Sequence, residues 1–512
     1  MRGSTAGNQA PVRAEQLTAI DLPPMVYNLV LLAAAFSLFL WCKPWSTAYS
    51  PVRMFLIGWI AVLATSATGV LRYDYALALP TILLVLASLL AFVMGARAAP
   101  SYVTSRDPDQ TLDAFDRLAL TALCLLAGLA TLFVLRDIAG GGLRFLTNFS
   151  AEAAGVRTGM WTAFSTGEVE VQPVRSVAIT SSLIVATLLP WASKNRFRWL
   201  TYASAIAGIT VVISSFLVAG RSLTAVLVLC LLVSWSLTYG AGSLRQLFSL
   251  RIVVPLVALG FYFVVVFPVQ RNASLQGSFI DRNLWYRANA RFPDWVNTAT
   301  NDYGIAWVKI VANSAEYFTS PLHNLNYFFT QTDVFSWSKL GIYNITQISQ
   351  VSGAFGNDVT PWQQIRFDIA AVLGAEGRSP NPWSTGIRDL GIDFGLLAIP
   401  LLAILGFIAQ SVYVKCVKSG GYVGLAVAAY ISVSCLIFAF ISPFQIRILS
   451  NGLWLLGLIA LARYFTRPQR TRPTRLRTSL AQPTALHVER PSSAEHDILT
   501  PSPASPLRPR PR

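Results

Sequence analysis

Long apolar stretches recur along this chain of 512 residues, and they constrain its fold more than any other feature. Each contains about 18 to 22 residues, the length that a helix needs to cross the hydrocarbon core of a bilayer. We therefore predict an all-α fold, a polytopic helical bundle with about eleven transmembrane helices. The stretches lie near 24–42, 54–72, 75–95, 117–136, 174–193, 199–219, 222–240, 252–269, 391–414, 421–442 and 447–465.

The composition supports a membrane protein and excludes most soluble classes. Hydrophobic residues make up 54% of the chain and charged residues 12%, whereas soluble domains carry about 25% charged residues. The net charge of +16 would suit nucleic acid, but nine arginines lie in the tail 467–512. We therefore expect no nucleic-acid partner and no soluble enzyme domain.

Five regions follow from this pattern. We predict an N-terminal tail (1–23), eight membrane helices (24–269) that include an outer loop (137–173), a large outer loop or cap (270–388), three more membrane helices (389–465) and a basic tail (466–512). The tail contains nine prolines and lacks apolar periodicity, so we expect it to be disordered and cytoplasmic.

Basic residues in the short connections predict the orientation, because Lys and Arg are retained on the cytoplasmic side. Three basic turns, at Lys194, Arg245 and Lys415, agree with a cytoplasmic tail. Counting from them, the turn with Lys43 and the connection 97–117 are also cytoplasmic, and both long loops lie outside, as does the N-terminus.

The large outer loop is rich in tryptophan and tyrosine, which is atypical of a disordered linker. The run 305–331 shows helical spacing, and we predict a helix broken at Pro321. Such aromatic residues also collect at membrane interfaces. Together with polar neighbours such as Asn324, and with Tyr317 among them, they would equally suit a cleft for sugar rings.

Two residue types exclude some kinds of site. The five cysteines lie in or beside apolar runs, so no disulfide framework is expected. His323 is the only histidine before the tail. We therefore expect neither a histidine- or thiolate-ligated zinc site nor a cofactor.

Arginines are the candidate binding residues. A guanidinium group holds phosphate through two parallel hydrogen bonds, which suits a lipid diphosphate at the bilayer surface. Simple pairing with acids is the alternative for several of these residues. Arg221 differs because it lies where two spans meet with almost no loop, and such charges are usually functional or reach to the interface. The candidates are Arg221, Arg271, Arg366, Arg378 and Arg388.

Glu316 and His323 are the candidate catalytic bases. They lie seven residues apart, about two helical turns, so they share one face if Pro321 only kinks the helix. A structural role for the histidine is the alternative. Asp389 is the next candidate base.

Several segments resemble the Wzy-type polymerases of bacterial O-antigen and exopolysaccharide, also called oligosaccharide repeat unit polymerases. The similar features are the span layout with two outer loops, the turn AGRS at 219–222, the segment EYFTSPLHNLNYF at 316–328 and the passage NPWSTGIRDLGIDFG at 381–395. Some members carry an arginine followed after ten residues by a glycine in each outer loop. Arg144 with Gly155 and Arg366 with Gly377 fit that spacing.

The resemblance implies a GT-C-like glycosyltransferase of the bacterial inner membrane that needs no metal. It would join undecaprenyl-diphosphate-linked repeat units on the periplasmic side, and a flippase and a chain-length regulator would be its partners. Arg144 would join the other arginines as a substrate-binding residue. Two alternatives stay open: an O-antigen ligase, whose family pairs outer-loop arginines with a histidine, and a flippase or other transporter of lipid-linked oligosaccharides.

Overall fold

The computed structural model is mostly helical in its described residues. These are residues 24–73, 77–100, 114–142, 173–217, 222–240, 290–302, 306–332, 344, 385–419, 421–444 and 446–466. A two-stranded antiparallel pairing joins β1 (Arg72–Tyr73) to β2 (Ala290–Arg291). The N-terminal and basic tails lie outside the described residues.

The helices before β2 are α1 (Pro24–Cys42), α2 (Pro51–Ala67), α3 (Leu79–Ala98), α4 (Ala114–Asp137), α5 (Pro173–Thr187), α6 (Leu189–Lys194), α7 (Arg198–Leu217) and α8 (Ser222–Tyr239). Those after it are α9 (Asp294–Asn301), α10 (Ala306–Ser314), α11 (Glu316–Gln331), α12 (Gly386–Phe394), α13 (Ala398–Ser419), α14 (Tyr422–Ile437) and α15 (Arg447–Thr466). A π-helical turn (Ile138–Gly142) ends α4, and a 3-10 turn (Gly395–Leu397) joins α12 to α13.

Six helices in the described ranges are long and apolar enough to cross a membrane. They lie in α1, α3, α4, α7 and α8 and in the continuous segment of α12 and α13. Four shorter apolar helices, in α2, α5, α14 and α15, accompany them. The chain is therefore a helical multi-pass membrane protein. Ten of the predicted stretches coincide with these helices, whereas 252–269 lies outside the described residues, so the predicted number of eleven stays a prediction.

The predicted span 174–193 is two helices rather than one. α5 ends at Thr187, and α6 begins at Leu189 with Pro190 in its first turn. A proline there has no N–H to donate to the preceding turn, so a helix start suits it and a helix interior does not. The prediction was wrong about continuity because it counted apolar residues and ignored this proline.

Glycines allow the closest contacts between the membrane helices. A Cβ atom on Gly95 of α3 would lie 1.8 Å from the carbonyl oxygen of Ala403 on α13, and one on Gly406 would lie 2.2 Å from that of Phe92. Small residues allow helix backbones to approach closely in membranes, where packing rather than water exclusion holds helices together. The contact between α3 and α13 therefore depends on a glycine from each side.

Buried apolar residues form two main clusters. One joins α4, α5, α7, α8, α14 and α15, and the other joins α1, α2, α3 and α13 to the cap helix α11 and to α12. Large apolar side chains elsewhere on the same helices are exposed, among them Leu118, Leu125 and Leu132 of α4. Such exposed stripes are expected where a helix faces lipid.

Basic turns of the bundle gather at one end, which we call the inner end. Lys194 donates to the carbonyl of Thr238 at 3.0 Å. Arg463 pairs with Asp116 at 3.0 Å, and the Tyr422 hydroxyl donates to the Asp116 carbonyl at 3.2 Å. These contacts bring the ends of α4, α6, α8, α14 and α15 together, as the count of basic residues requires. The opposite end, which includes the start of α3 and all of α12, is called the outer end.

The described part of the large loop is helical and lies at the outer end. α9, α10 and β2 form a small apolar cluster with Leu71, in which Phe292 and Val296 are buried. The predicted break of the helix at Pro321 is wrong: α10 ends at Ser314, and α11 runs from Glu316 through Pro321. The proline removes one backbone hydrogen bond, the one that an N–H at position 321 would donate to the carbonyl of Tyr317, and the helix continues past this single loss.

Candidate functional site

The cap helix α11 is inserted against the outer ends of α2 and α3, and its polar residues are the centre of the candidate site. Asn326 is buried, and its side-chain oxygen accepts from the Ala78 amide at 3.0 Å and from the Thr81 hydroxyl at 2.8 Å. The first amides of a helix lack intrahelical acceptors. Asn326 therefore supplies a hydrogen-bond acceptor at the start of α3 and holds α11 at one position along the bundle.

His323 and Tyr73 stack face to face beside α11. Their ring centroids are 3.5 Å apart and their planes differ by 8°. The Tyr73 hydroxyl is hydrogen-bonded to the Thr319 hydroxyl, one turn before His323. Two neighbouring positions of one helix thus hold the phenol, and the phenol in turn fixes the plane of the imidazole.

Glu316 lies seven residues before His323 on the same continuous helix and is only 4% exposed. It acts electrostatically on Tyr73. Burial raises the pKa of Tyr73, the Thr319 hydrogen bond lowers it, and the Glu316 carboxylate raises it further. The phenol is therefore neutral at physiological pH, and the two predicted bases are grouped around it.

α12 contains an ion pair that is almost fully buried. Arg388 donates to one carboxylate oxygen of Asp389 through Nε at 3.1 Å and through Nη2 at 2.9 Å, and the side chains are 3% and 0% exposed. The other Asp389 oxygen accepts from the Ser442 amide at 3.0 Å. The hydroxyl of Thr385 caps the helix start by accepting from the Arg388 amide at 3.1 Å. The pair thus ties α12 to the segment after α14.

Asp393, one turn later, is bonded to Asn344. The amide and the side chain of Asn344 donate to Asp393 at 3.0 and 2.7 Å, and its side chain also donates to the Asp389 carbonyl at 2.7 Å. Both aspartates are fully buried. A residue of the large loop is therefore anchored on α12 by charge-assisted hydrogen bonds, which are stronger than neutral ones.

Aromatic rings connect α12 to α11. The guanidinium carbon of Arg388 lies 4.9 Å from the centroid of the Phe328 ring, a cation–π distance. On the other side of α11, Phe318 contacts Phe440 edge to face at 5.4 Å between centroids. Gly386 donates its amide to the Phe438 carbonyl at 2.7 Å. The cap helix, α12 and the end of α14 therefore form one packed unit.

The structure brings some of the predicted site residues together. Glu316, Tyr317, His323 and Asn324 all lie on α11, and Arg388 contacts the same helix through Phe328. Tyr317, His323 and Asn324 are half-buried, whereas Glu316 and Arg388 are buried. The remaining predicted arginines lie outside the described residues: Arg144, Arg221, Arg271, Arg366 and Arg378.

Sequence reasoning missed Tyr73 and Ser442, and it identified Asn344 only as one of the polar neighbours of the loop's aromatic residues. Tyr73 lies between the second and third predicted spans, and the count of basic residues puts that connection outside with the large loop. The location of this connection was the only feature of the sequence that could have assigned Tyr73 to the site. Nothing in the local sequence of the other two indicated their aspartate partners.

Within the described ranges, no group of three His, Cys, Asp or Glu side chains is arranged to hold a metal ion. No protein-family model, curated protein or solved structure matches this chain.

Proposed function

We propose that this protein is a glycosyltransferase of the bacterial inner membrane that polymerises undecaprenyl-diphosphate-linked oligosaccharide repeat units at its outer end. One observation carries the proposal: Glu316 and His323 lie on one continuous helix that is packed onto the outer ends of the apolar helices. Lipid-linked substrates present their headgroups at this level of a membrane protein. A base positioned there can reach a sugar hydroxyl while the lipid remains in the bilayer.

The reaction balances with these groups. The base takes the proton from the acceptor hydroxyl, whose oxygen then forms a bond to the anomeric carbon of the donor sugar. The bond from that carbon to the diphosphate oxygen breaks, and the lipid diphosphate leaves with the electron pair. Cations near the diphosphate would stabilise the developing charge.

The roles of the named residues differ. In the proposal, Glu316 or His323 is the base, and Tyr73 is a positioning residue because it stacks on the imidazole. Tyr317 and Asn324 are half-buried on the same helix and supply a ring and an amide for sugar. Arg388 is bonded to Asp389, so we assign the diphosphate mainly to the other predicted arginines, Arg144, Arg221, Arg271, Arg366 and Arg378.

One observation favours a second function, transfer of a finished glycan to a lipid A core by a ligase. Of the two bases, His323 is half-buried, whereas Glu316 is 4% exposed. A base has to come within hydrogen-bonding distance of the acceptor hydroxyl. His323 is the easier one to reach, and a catalytic histidine suits the ligase.

Two substitutions separate these functions. Glu316→Gln and His323→Gln each remove a basic group and keep a hydrogen-bonding side chain. Each variant is expressed in the source bacterium after deletion of the chromosomal copy, and surface glycan is resolved by gel electrophoresis. Asp302→Asn, at an exposed acid at the end of α9, is the matched control.

For a polymerase, loss of the base leaves glycans of one repeat unit on the surface. For a ligase, it leaves no glycan on the lipid A core. Intermediates stranded inside the cell would indicate a flippase and refute both functions. Normal polymer from both variants, with normal amounts of protein in the membrane, would exclude α11 as the source of the base.

A further inference from the structure

A group of nitrogen donors lies at the inner end of α1, α2 and α3, and two of its atoms are buried without an acceptor in the described structure. The group comprises the guanidinium groups of Arg53 and of the exposed Arg97 and the indole N–H of Trp45. The Arg53 Nε and Trp45 Nε1 atoms are buried and make no hydrogen bond. A buried donor without a partner costs about 1–3 kcal/mol, so such atoms indicate a missing acceptor.

The two guanidinium groups lie against aromatic rings near the end of α1. The Arg53 carbon lies 4.4 Å from the centroid of the Phe39 ring, and the Arg97 carbon lies 5.3 Å from that of Trp45. Both charges also act electrostatically on the thiol of Cys42, which is fully buried at the end of α1. The start of α2 and the end of α3 therefore each place a cation beside the end of α1.

The arginines in the described ranges fall into two groups. Arg72, Arg175, Arg388 and Arg463 each pair with an aspartate. Within the same ranges, neither Arg53 nor Arg97 has a carboxylate within salt-bridge distance, and the same holds for Arg136, Arg196 and Arg198. Arg53 and Arg97 differ from those three because they lie over aromatic rings beside buried donors. A ligand with anionic oxygens would supply acceptors that the described residues do not.

The surface around these donors is apolar. Phe36, Leu40 and Trp41 of α1 and Met94 of α3 are each about half exposed. Such side chains suit acyl chains, and basic pockets between transmembrane helices on the cytoplasmic side bind anionic headgroups. The inner end is also the end that the basic residues assign to the cytoplasm.

We propose that Arg53, Arg97 and Trp45 form a binding site for the phosphate group of an anionic phospholipid. The guanidinium groups donate to the phosphate oxygens, the indole N–H donates to a further oxygen, and the acyl chains lie along α1 and α3. Arginine suits this task because its planar fork matches phosphate oxygens. The site lies at the opposite end of the bundle from α11 and does not depend on the function proposed there.

The test uses the purified full-length protein in detergent and measures lipid binding by native mass spectrometry. The probe is dioleoyl phosphatidylglycerol, with dioleoyl phosphatidylcholine as the neutral comparison. The variant Arg53→Gln/Arg97→Gln is compared with Lys415→Gln/Lys418→Gln, which removes two exposed charges at the end of α13. Both variants lose the same charge, but only the first loses the donors beside the end of α1.

We expect phosphatidylglycerol to bind the Arg53→Gln/Arg97→Gln variant about ten- to a hundredfold more weakly than the wild type, because one or two charge-assisted contacts are lost. The lysine variant should bind like wild type. If both variants lose the same affinity for phosphatidylglycerol, the loss depends on net surface charge alone and the proposal is overturned. Inorganic phosphate that displaces the lipid fully at an equal concentration would show a site for free phosphate and overturn the proposal too.

A folding defect is separated from a binding defect by a second variant. Arg53→Lys/Arg97→Lys keeps both charges and removes the planar forks, so it should fold and bind with intermediate affinity. Equal and full binding by wild type, the Lys variant and the Gln variant would exclude these arginines from any lipid site.

Discussion

Replacing Asp389 by Asn should destabilise the protein strongly, because it leaves the guanidinium group of Arg388 buried without the carboxylate that it now contacts. Replacing Arg388 by Met should do the same from the other side, because it leaves the buried carboxylate of Asp389 without its cation. The double variant removes both charges at once, and its new side-chain amide keeps an oxygen that can accept from the Ser442 amide. These three variants form a double-mutant cycle on one ion pair.

The magnitude follows from the burial of the pair. Arg388 and Asp389 are 3% and 0% exposed and share two N–H donors on one oxygen, at 3.1 and 2.9 Å. Breaking a buried pair by removing one partner costs about 3–5 kcal/mol, whereas replacing both partners is often nearly neutral. Each single variant should therefore lose about 3–5 kcal/mol. The double variant should lose about 1–3 kcal/mol, because it removes both charges together and loses packing, the contact between Arg388 and Phe328 and part of one hydrogen bond.

The free energy of unfolding can be measured by titrating sodium dodecyl sulfate into mixed micelles and following tryptophan fluorescence. Asp294→Asn is the control, since the pair between Arg72 and Asp294 is 64% and 86% exposed and should be worth less than about 1 kcal/mol. If the double variant loses as much as the two single variants together, there is no coupling and the argument from burial is refuted.

The double variant also tests the role of Arg388. If this residue only holds α12 to α11, a folded double variant should make glycan of normal length. Under the proposed function, a folded double variant that makes no polymer would show that Arg388 or Asp389 acts on the substrate, the two roles predicted from the sequence. Stability and activity therefore separate two roles that a single substitution would confuse.

Three further predictions follow from the structure. Gly95→Ala should lower the free energy of unfolding by at least about 1–3 kcal/mol in the same titration, because the added methyl group overpacks the contact with α13. Gly128→Ala, whose Cβ would meet nothing within 4 Å, should change the free energy of unfolding little. Equal losses in the two variants would contradict the close contact at Gly95. The raised pKa of Tyr73 stabilises the fold at pH values below about 10, the pKa of an unfolded tyrosine, and this stabilisation is lost as the pH rises above 10. Tyr73→Phe should therefore reduce the fall of the apparent Tm above about pH 10. Parallel curves of Tm against pH for the variant and the wild type would contradict this prediction. An alkaline phosphatase fusion near residue 350 should be active and one near residue 480 inactive; the reverse pattern would invert the membrane orientation.

The sequence predicted the membrane helices well, because a span needs only length and apolarity and both are local properties. α1, α4, α7 and α8 begin and end within about three residues of the predicted stretches. The errors occurred at prolines. Pro190 begins a new helix where continuity was expected, and Pro321 continues one where a break was expected. A proline excludes one backbone donor, and its surroundings decide whether the helix ends there.

The candidate site was predicted in part. Glu316 and His323 were selected because they are ionisable residues two helical turns apart in an outer loop, and the structure puts them on one helix. Tyr73 lies about 250 positions away and carries no motif, so no local pattern could have connected it with His323. The Arg388 guanidinium was expected to be available for phosphate, but an adjacent aspartate holds it.

The sequence by itself therefore determined that the chain is a helical multi-pass membrane protein, where most of its long apolar helices lie and which loop carries ionisable groups. The physical reason is that the bilayer selects on apolar length and on basic residues beside each span. Only the tertiary structure decided which charges are paired and which lack an acceptor. Arg388 and Arg53 look alike in sequence, each beside an apolar run, yet one is bonded to a buried aspartate and the other faces rings and a thiol. Pairing depends on how packing orients neighbouring side chains, as with Arg388 and Asp389, and on distances between remote residues, as with Arg463 and Asp116.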